Sequence, residues 1–367
     1  MVAALNPVVF DDLPGWYLDN PVEILAGLQD CARHVKSTKP YSTGSFGLRW
    51  SDFKPALDDL ATVRPNNAAD ARAFFESHFQ PVVVTPDGDT SGFVTGFYEP
   101  EIDVSPVQTG AFQYPFYARP GDLVKIDPAD RPASMDPAFA FGRRTGNAIV
   151  EFADRRLIDQ GALSGKGLEI AWAASKVDVF FAHIQGSARL HYADGTVHRI
   201  TYAAKTGHPF TAIGRILIDL GEQQSGQVTM QSLRRWLHDN PQRVDEILWH
   251  NRSYIFFRRA DVEDLDRGPV AAAKVPLIAG RSLAVDRLIH TFATPIYVQA
   301  DSLTHLGNGP FRRLMLAQDT GSAIVGPARG DIFTGSGQEA GNLAGAIKHQ
   351  ARFFLLVPKA AAQRLHS

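Results

Sequence analysis

Near the C-terminus of the 367-residue chain, Asp319-Thr320-Gly321-Ser322-Ala323 spells the signature of an aspartic protease, and Asp331 follows in Arg329-Gly330-Asp331-Ile332-Phe333. Protease chemistry of that kind needs two carboxylates sharing one proton, because like charges about 3 Å apart cannot both ionise. It therefore requires two copies of the motif, or one copy in a short chain that dimerises. Here the motif occurs once in a long chain, and its nearest lookalike, Asp87-Gly88-Asp89-Thr90-Ser91-Gly92, has the wrong order. The protease reading is set aside as a distant alternative.

Other chemistries fail on residue type or spacing. Gly335-Ser336-Gly337-Gln338-Glu339-Ala340-Gly341 has no Gly-Lys-Ser/Thr ending and puts a glutamate where phosphate would sit, so its glycines are expected to serve a tight turn of positive φ. The 12 His form no His-Glu-x-x-His or His-x-His pair, and the single Cys31 excludes both internal disulfides and a cysteine-based zinc site. No Gly-x-Ser-x-Gly elbow occurs. Neither a metal nor a cofactor is expected, and carboxylate chemistry remains. Asp331 lies beside the apolar pair Ile332 and Phe333; such surroundings strip hydration from a carboxyl, raise its pKa and keep a proton for a leaving group. Residue types alone favour a blander reading, an aspartate that caps a turn.

The elements that must position these groups are mostly strands. At 367 residues the chain is long for one core, so two domains are expected. With 44% hydrophobic and 21% charged residues, 31 Gly and 23 Pro, it suits a soluble, turn-rich, β-rich protein. A net charge of −2 with scattered Lys and Arg supplies no basic face for nucleic acid. No run of 18 apolar residues occurs, and the first residues, MVAALNPVVFDDLPGW, lack the pattern of a signal peptide. The chain is expected to be cytoplasmic, or a mature fragment whose export or lipid signal was replaced by an initiating Met.

Helices are predicted first. Asn20-Pro21-Val22-Glu23 reads as an N-cap, a proline at the first helical position and a reciprocal carboxylate, opening a helix to about Lys36 with Cys31 on its apolar side. Others are expected from Ser51 and from Asn67, the latter with Phe74, Phe75 and Phe79 facing a core. From about Pro81 the pattern turns β-like, through 91–100 and 112–120 and then 176–204, where Asp194-Gly195 marks a hairpin. Helices return at 226–240 and from Asn240-Pro241. After the strand 253–259, residues 260–268 read as a linker. Strands follow again, including 321–326, with Asp286, Asp319 and Asp331 at or beside strand ends.

These segments resemble a known family. LAVDRLIHTFATPIYV and LAQDTGSAIVGPARGDIFTGSG resemble the three-aspartate (3D) domain, a double-psi β-barrel, with its aspartates at Asp286, Asp319 and Asp331. Upstream, GFVTGFYEPEI, FQYPFYARP, AHIQGSARL, YAAKTGHPFTAIGRIL and MQSLRRWLHDNP are similar, in order, to the membrane-bound lytic murein transglycosylase A family, over about Asp70 to Lys359. The resemblance implies a mainly β, two-domain fold with flanking α-helices. A barrel domain takes 1–100 and 259–367, a smaller, barrel-like β domain is inserted at 101–258, and a groove between them holds a glycan strand.

It implies a reaction too. Lytic transglycosylases break the β-1,4 bond between N-acetylmuramic acid and N-acetylglucosamine without adding water, closing the muramoyl C6 hydroxyl onto C1. Hydrolases normally use two carboxylates; with the nucleophile inside the substrate, one can act as acid and then base. The family's catalytic aspartate corresponds to Asp331. Asp319 is expected to order the site and tune Asp331, and Asp286 to be structural. Sugar contacts are expected from Thr95, Tyr98, Glu99, Gln185, Ser187, Lys205 and Ser336.

The family pattern Gly-Gly-Ala-Ile-Lys-Gly is replaced by Gly321-Ser322-Ala323-Ile324-Val325-Gly326, and its Pro-Leu-Gly-Thr by His290-Thr291-Phe292-Ala293-Thr294. The partners implied are peptidoglycan strands and cell-wall synthesis complexes, for a monomer on the periplasmic side of the envelope, outer-membrane anchored in its precursor. A murein-binding protein that lost the chemistry is the competing reading.

Overall fold

The computed structural model describes residues 3–86, 91–260, 265–307 and 309–365. Asp87 to Thr90 of the protease lookalike, and 261–264 of the expected linker, lie outside the described residues. The chain divides into two compact units, Met1–Tyr98 with Asp264–Ser367, and Glu99–Glu263.

The first unit is built on an eight-stranded sheet ordered Ala3–Pro7, Phe79–Pro86, Lys348–Pro358, Pro295–Ala300, Phe311–Asp319, Ser282–Val285, Arg329–Ser336, Gly92–Glu99. The last strand pairs back onto Lys348–Pro358, so six strands close into a barrel. Closure removes the open edges that a flat sheet would leave. The two-residue period of each strand then sorts side chains. Leu283, Val285, Ile332, Phe353 and Leu355 fall in one buried cluster inside, while Leu314, Leu316, Phe354 and Leu356 face outward under the N-terminal helices.

Those helices differ locally from expectation. The first runs Val22–Ser37 with Pro21, not Asn20, at the N-cap; Glu23 makes no capping bond and instead lies 3.5 Å from Arg281. Residues 50–60 form a short 3-10 turn, Trp50–Phe53, followed by a helix over Lys54–Leu60, with Pro55 tolerated in its first turn. The third, Ala68–His78, is capped by Asn67, whose side chain accepts from the Asp70 N–H at 3.0 Å. Cys31 is fully buried, and burial pushes its thiol up to about 12.

The second unit carries a six-stranded sheet ordered Ile255–Ala260, Val197–Lys205, Ser187–Tyr192, Glu101–Ser105, Glu169–Ala173, Tyr114–Tyr117. A bridge from Ala118 to Phe257 brings its two ends together, which makes it barrel-like. The Asp194-Gly195 hairpin is present: the Asp194 carboxylate accepts from the Thr196 N–H at 2.9 Å and Gly195 takes φ 84°. Three stretches depart from the β reading. Residues Lys176–Gln185 are a helix, because Ser175 caps the Asp178 N–H and Val179, Phe180 and Ala182 pack inward before Gly186 stops the helix in the left-handed region. In the first unit, 321–326 is a turn rather than a strand, and Gly337–Gly345 is a helix entered through Gly335 and Gly337 at positive φ. Among the described residues no helix is long and apolar enough to cross a membrane.

Candidate active site

Asp331 is the third residue of Arg329–Ser336, and the register of that strand decides what it can do. Ala284 of the neighbouring strand pairs with Asp331 on one side and with Asp319 on the other. Paired residues share a face, so both aspartates stand on the outer face of the barrel, with backbones about two strand spacings, roughly 10 Å, apart. Asp319 reaches this position through a bulge between Leu283 and Ala284. The floor is apolar: Phe333, two residues beyond Asp331, packs with Phe97, Leu277, Ala284 and Ile324, the Phe97 and Phe333 ring centres being 5.3 Å apart. Ile332 points the other way, into the barrel.

Both carboxyls are half-buried and crowded by protein while keeping a path to solvent. Burial raises the pKa of Asp331, against the lowering effects of a 2.5 Å hydrogen bond donated by Thr95 Oγ1 and of the Arg329 charge. Asp319 is pushed up to about 6, chiefly by burial, with the Asp331 charge adding to it and hydrogen bonds from the Thr320 and Ala272 N–H groups opposing it. A like-charged pair in such a place holds its first proton more tightly than either group alone.

Asp286 does not join them. One carboxylate oxygen accepts from the Leu288 N–H at 3.0 Å and the other from the Gly326 N–H at 2.9 Å, so it pins two loops. Tyr98 is buried against the helix Gly337–Gly345, where a Cβ on Gly341 would come within 2.8 Å of its ring. Ser336 is the half-buried N-cap residue of that helix.

The remaining expected contacts belong to the second unit. Gln185 ends the helix Lys176–Gln185; Ser187 opens the next strand, opposite Thr201; Lys205 closes the strand after it, its pKa lowered by burial. Glu99 needs correction as a sugar contact. It is fully buried and paired with Arg189 Nε at 2.9 Å and Arg199 Nε at 2.5 Å, so its carboxylate is committed to the fold.

Residues 93–258 match the MltA specific insert domain, and residues 281–357 match the 3D domain. The fold superposes on the crystal structure of a membrane-bound lytic murein transglycosylase from Agrobacterium tumefaciens with a TM-score of 0.93 and 52% identity over 99% of each chain. The chain belongs to the membrane-bound lytic murein transglycosylase A family. MltA from Neisseria gonorrhoeae superposes with a TM-score of 0.79 at 32% identity, over 97% of this chain and 93% of that one. Membrane-bound lytic murein transglycosylase A of Escherichia coli K12 is 32% identical over 267 residues, which are 71% of this chain and 64% of the relative's length.

Two features of this MltA-family chain, one in each unit, escaped sequence reading. Arg329 stands two residues from Asp331 on the same strand face, donates to Thr95 Oγ1 at 2.7 Å and to the Gly330 carbonyl, and lies over the Phe93 ring at 5.5 Å. Its period-two spacing from Asp331 was the available signal. Arg189 and Arg199 carry no local signal, since their partner Glu99 is 90 and 100 positions away. Val325, where the family pattern has lysine, is 60% exposed.

Proposed function

We propose that this chain is a peptidoglycan lytic transglycosylase in which Asp331 is the single acid and base. The observation that carries the reading is the Asp331 environment: an outward-facing, crowded carboxyl with a raised pKa and a neutral donor, beside a second carboxyl of pKa about 6. Protonated Asp331 delivers its proton to the glycosidic oxygen between N-acetylmuramic acid and N-acetylglucosamine as the C1–O bond breaks. The C6 hydroxyl of the same muramoyl unit then bonds to C1 and returns its proton to the Asp331 carboxylate. No water is consumed, the enzyme recovers its starting state, and a 1,6-anhydromuramoyl end is left. Membership of the lytic transglycosylase family supports this route over hydrolysis.

Asp319 is coupled to Asp331 by charge and is assigned to tune it, and Asp286 acts through the loops it pins. Thr95 positions Asp331, while Tyr98, Ser336, Gln185, Ser187 and Lys205 are assigned to glycan contact by their hydroxyl, amide and ammonium groups. The substrate is a peptidoglycan strand, met by a monomer on the periplasmic side of the envelope and within reach of cell-wall synthesis complexes. Digestion of purified murein followed by mass analysis of the products tests the reading. The expected products are 1,6-anhydromuropeptides. Products heavier by one water would mean hydrolysis, and murein binding without products would mean a binding protein.

A further inference from the structure

The second unit holds a cavity of about 490 Å³ whose lining comes from that unit alone and includes none of the residues assigned to cleavage. Its size falls in the range of about 300–1,000 Å³ usual for small-ligand sites. The strands Tyr114–Tyr117 and Glu169–Ala173 supply two walls, and the segment Ile158–Ala162, kinked at Gly161 with φ 100°, supplies another.

The lining combines aromatic surface from Tyr114, Tyr117 and Trp172 with hydrogen-bonding groups from Asp159, Glu169 and Gln113. Its cations already have partners. Arg155 donates to the carbonyls of Asn251 and Ser253 at 2.9 and 2.7 Å, and Lys176 pairs with Asp245 at 2.5 Å and Asp159 at 3.6 Å. Two cations and two carboxylates leave the lining without net charge, so an anionic ligand finds no waiting partner. An ammonium ligand is disfavoured as well, because the Lys176 ammonium itself lies 5.8 Å from the Tyr114 ring centre. A neutral ligand with one apolar face and a rim of hydroxyl and amide groups matches the lining on both counts.

We propose that this cavity is a second saccharide site, taking a neutral pyranose whose C–H face lies on the aromatic side chains and whose hydroxyls meet Asp159, Glu169 and Gln113. The inference takes its ligand class from the cavity itself and stands if the cleavage reading fails. The test uses the full chain carrying Asp331→Asn, so that sugars are not turned over, with the tryptophan indole signals followed by ¹⁵N NMR and Trp172 assigned through Trp172→Phe. Titration with N,N′-diacetylchitobiose should move the Trp172 signal saturably. Tyr114→Ala should weaken that binding about tenfold and, placed in the otherwise unaltered chain, leave murein cleavage unchanged. Glu169→Gln serves as a second variant should Tyr114→Ala not fold. A Trp172 signal that stays fixed overturns the proposal, as does one that responds to L-lysine and not to the disaccharide, or binding indifferent to both variants.

Discussion

Glu99 and Asp331, one carboxylate from each unit, are both drawn away from water, Glu99 fully and Asp331 in part, and they are treated in opposite ways. Glu99 in the inserted unit faces two guanidinium groups, Arg189 at 2.9 Å and Arg199 at 2.5 Å. Asp331 on the barrel receives one neutral donor, Thr95 Oγ1, while the nearby Arg329 is aimed at the Thr95 hydroxyl and the Gly330 carbonyl. Full compensation turns a buried acid into a structural pin. Partial compensation leaves burial to raise the pKa, which keeps a proton available at a surface a substrate can reach. On the proposed function, the same side-chain chemistry serves fold or reaction according to what is placed opposite it.

The sharpest way to break that contrast is to neutralise each acid in turn. Asp331→Asn should remove turnover, a loss of at least about 10²- to 10⁴-fold in kcat, with glycan binding kept, as measured by product release and murein pull-down. Substantial residual turnover would move the proton to another group. Glu99→Gln should act on folding instead, costing about 3–5 kcal/mol in denaturant unfolding because the buried Arg199 loses its counter-charge, while Arg189 keeps Glu101 at 3.3 Å. An unfolding midpoint equal to that of the unaltered chain would mean the ion pairs are not what holds Glu99.

Asp319 lies between these extremes, and pH separates it from both. Its folded pKa of about 6 is above the unfolded value of about 3.9, so its contribution to stability is fully present below pH 4 and is lost as pH rises through 6. At about 1.4 kcal/mol per unit, the loss amounts to up to about 3 kcal/mol. Asp319→Asn keeps an acceptor for the Ala272 N–H and cannot ionise, so thermal unfolding at pH 4 and pH 8 should differ less than in the unaltered chain. Removing the neighbouring negative charge should also move the alkaline limb of the pH–rate profile downward. A pH dependence of unfolding unchanged by the substitution would refute the assignment.

How much of this was legible in the sequence depended on the range of the interaction. The Asn67 cap, the Asp194-Gly195 hairpin and the strand that ends at Asp319 are signals carried within a few residues, and they appear in the fold. Residues Lys176–Gln185 read as a strand because Val-Asp-Val-Phe-Phe suits a pleated surface. The Ser175 cap and the left-handed Gly186 were equally local but were outweighed. The three aspartates stood out at strand ends, but their roles came through family resemblance; residue types alone left a turn cap in front. What could not be read was the pairing of Ala284 with both Asp319 and Asp331, which depends on strand register across the closed barrel. The Glu99 ion pairs were hidden for the same reason, since a partner 90 positions away leaves no spacing to recognise.

The smallest expected effect probes the single hydrogen bond that distinguishes Asp331 from a fully exposed carboxyl. Thr95 Oγ1 donates to Asp331 and accepts from Arg329, so it stabilises the ionised acid and tempers the rise that burial produces. Thr95→Val keeps the shape and removes the bond. Asp331 should then hold its proton to higher pH, and the alkaline limb of the pH–rate profile should move up by about one unit, equivalent to about 1.4 kcal/mol. Thr95→Ser restores the hydroxyl and should return the limb to its original place, which loss of packing alone would not do. A limb that ignores both substitutions would mean that Thr95 does not tune the acid, and that the arginines facing Glu99 alone make the difference between it and Asp331.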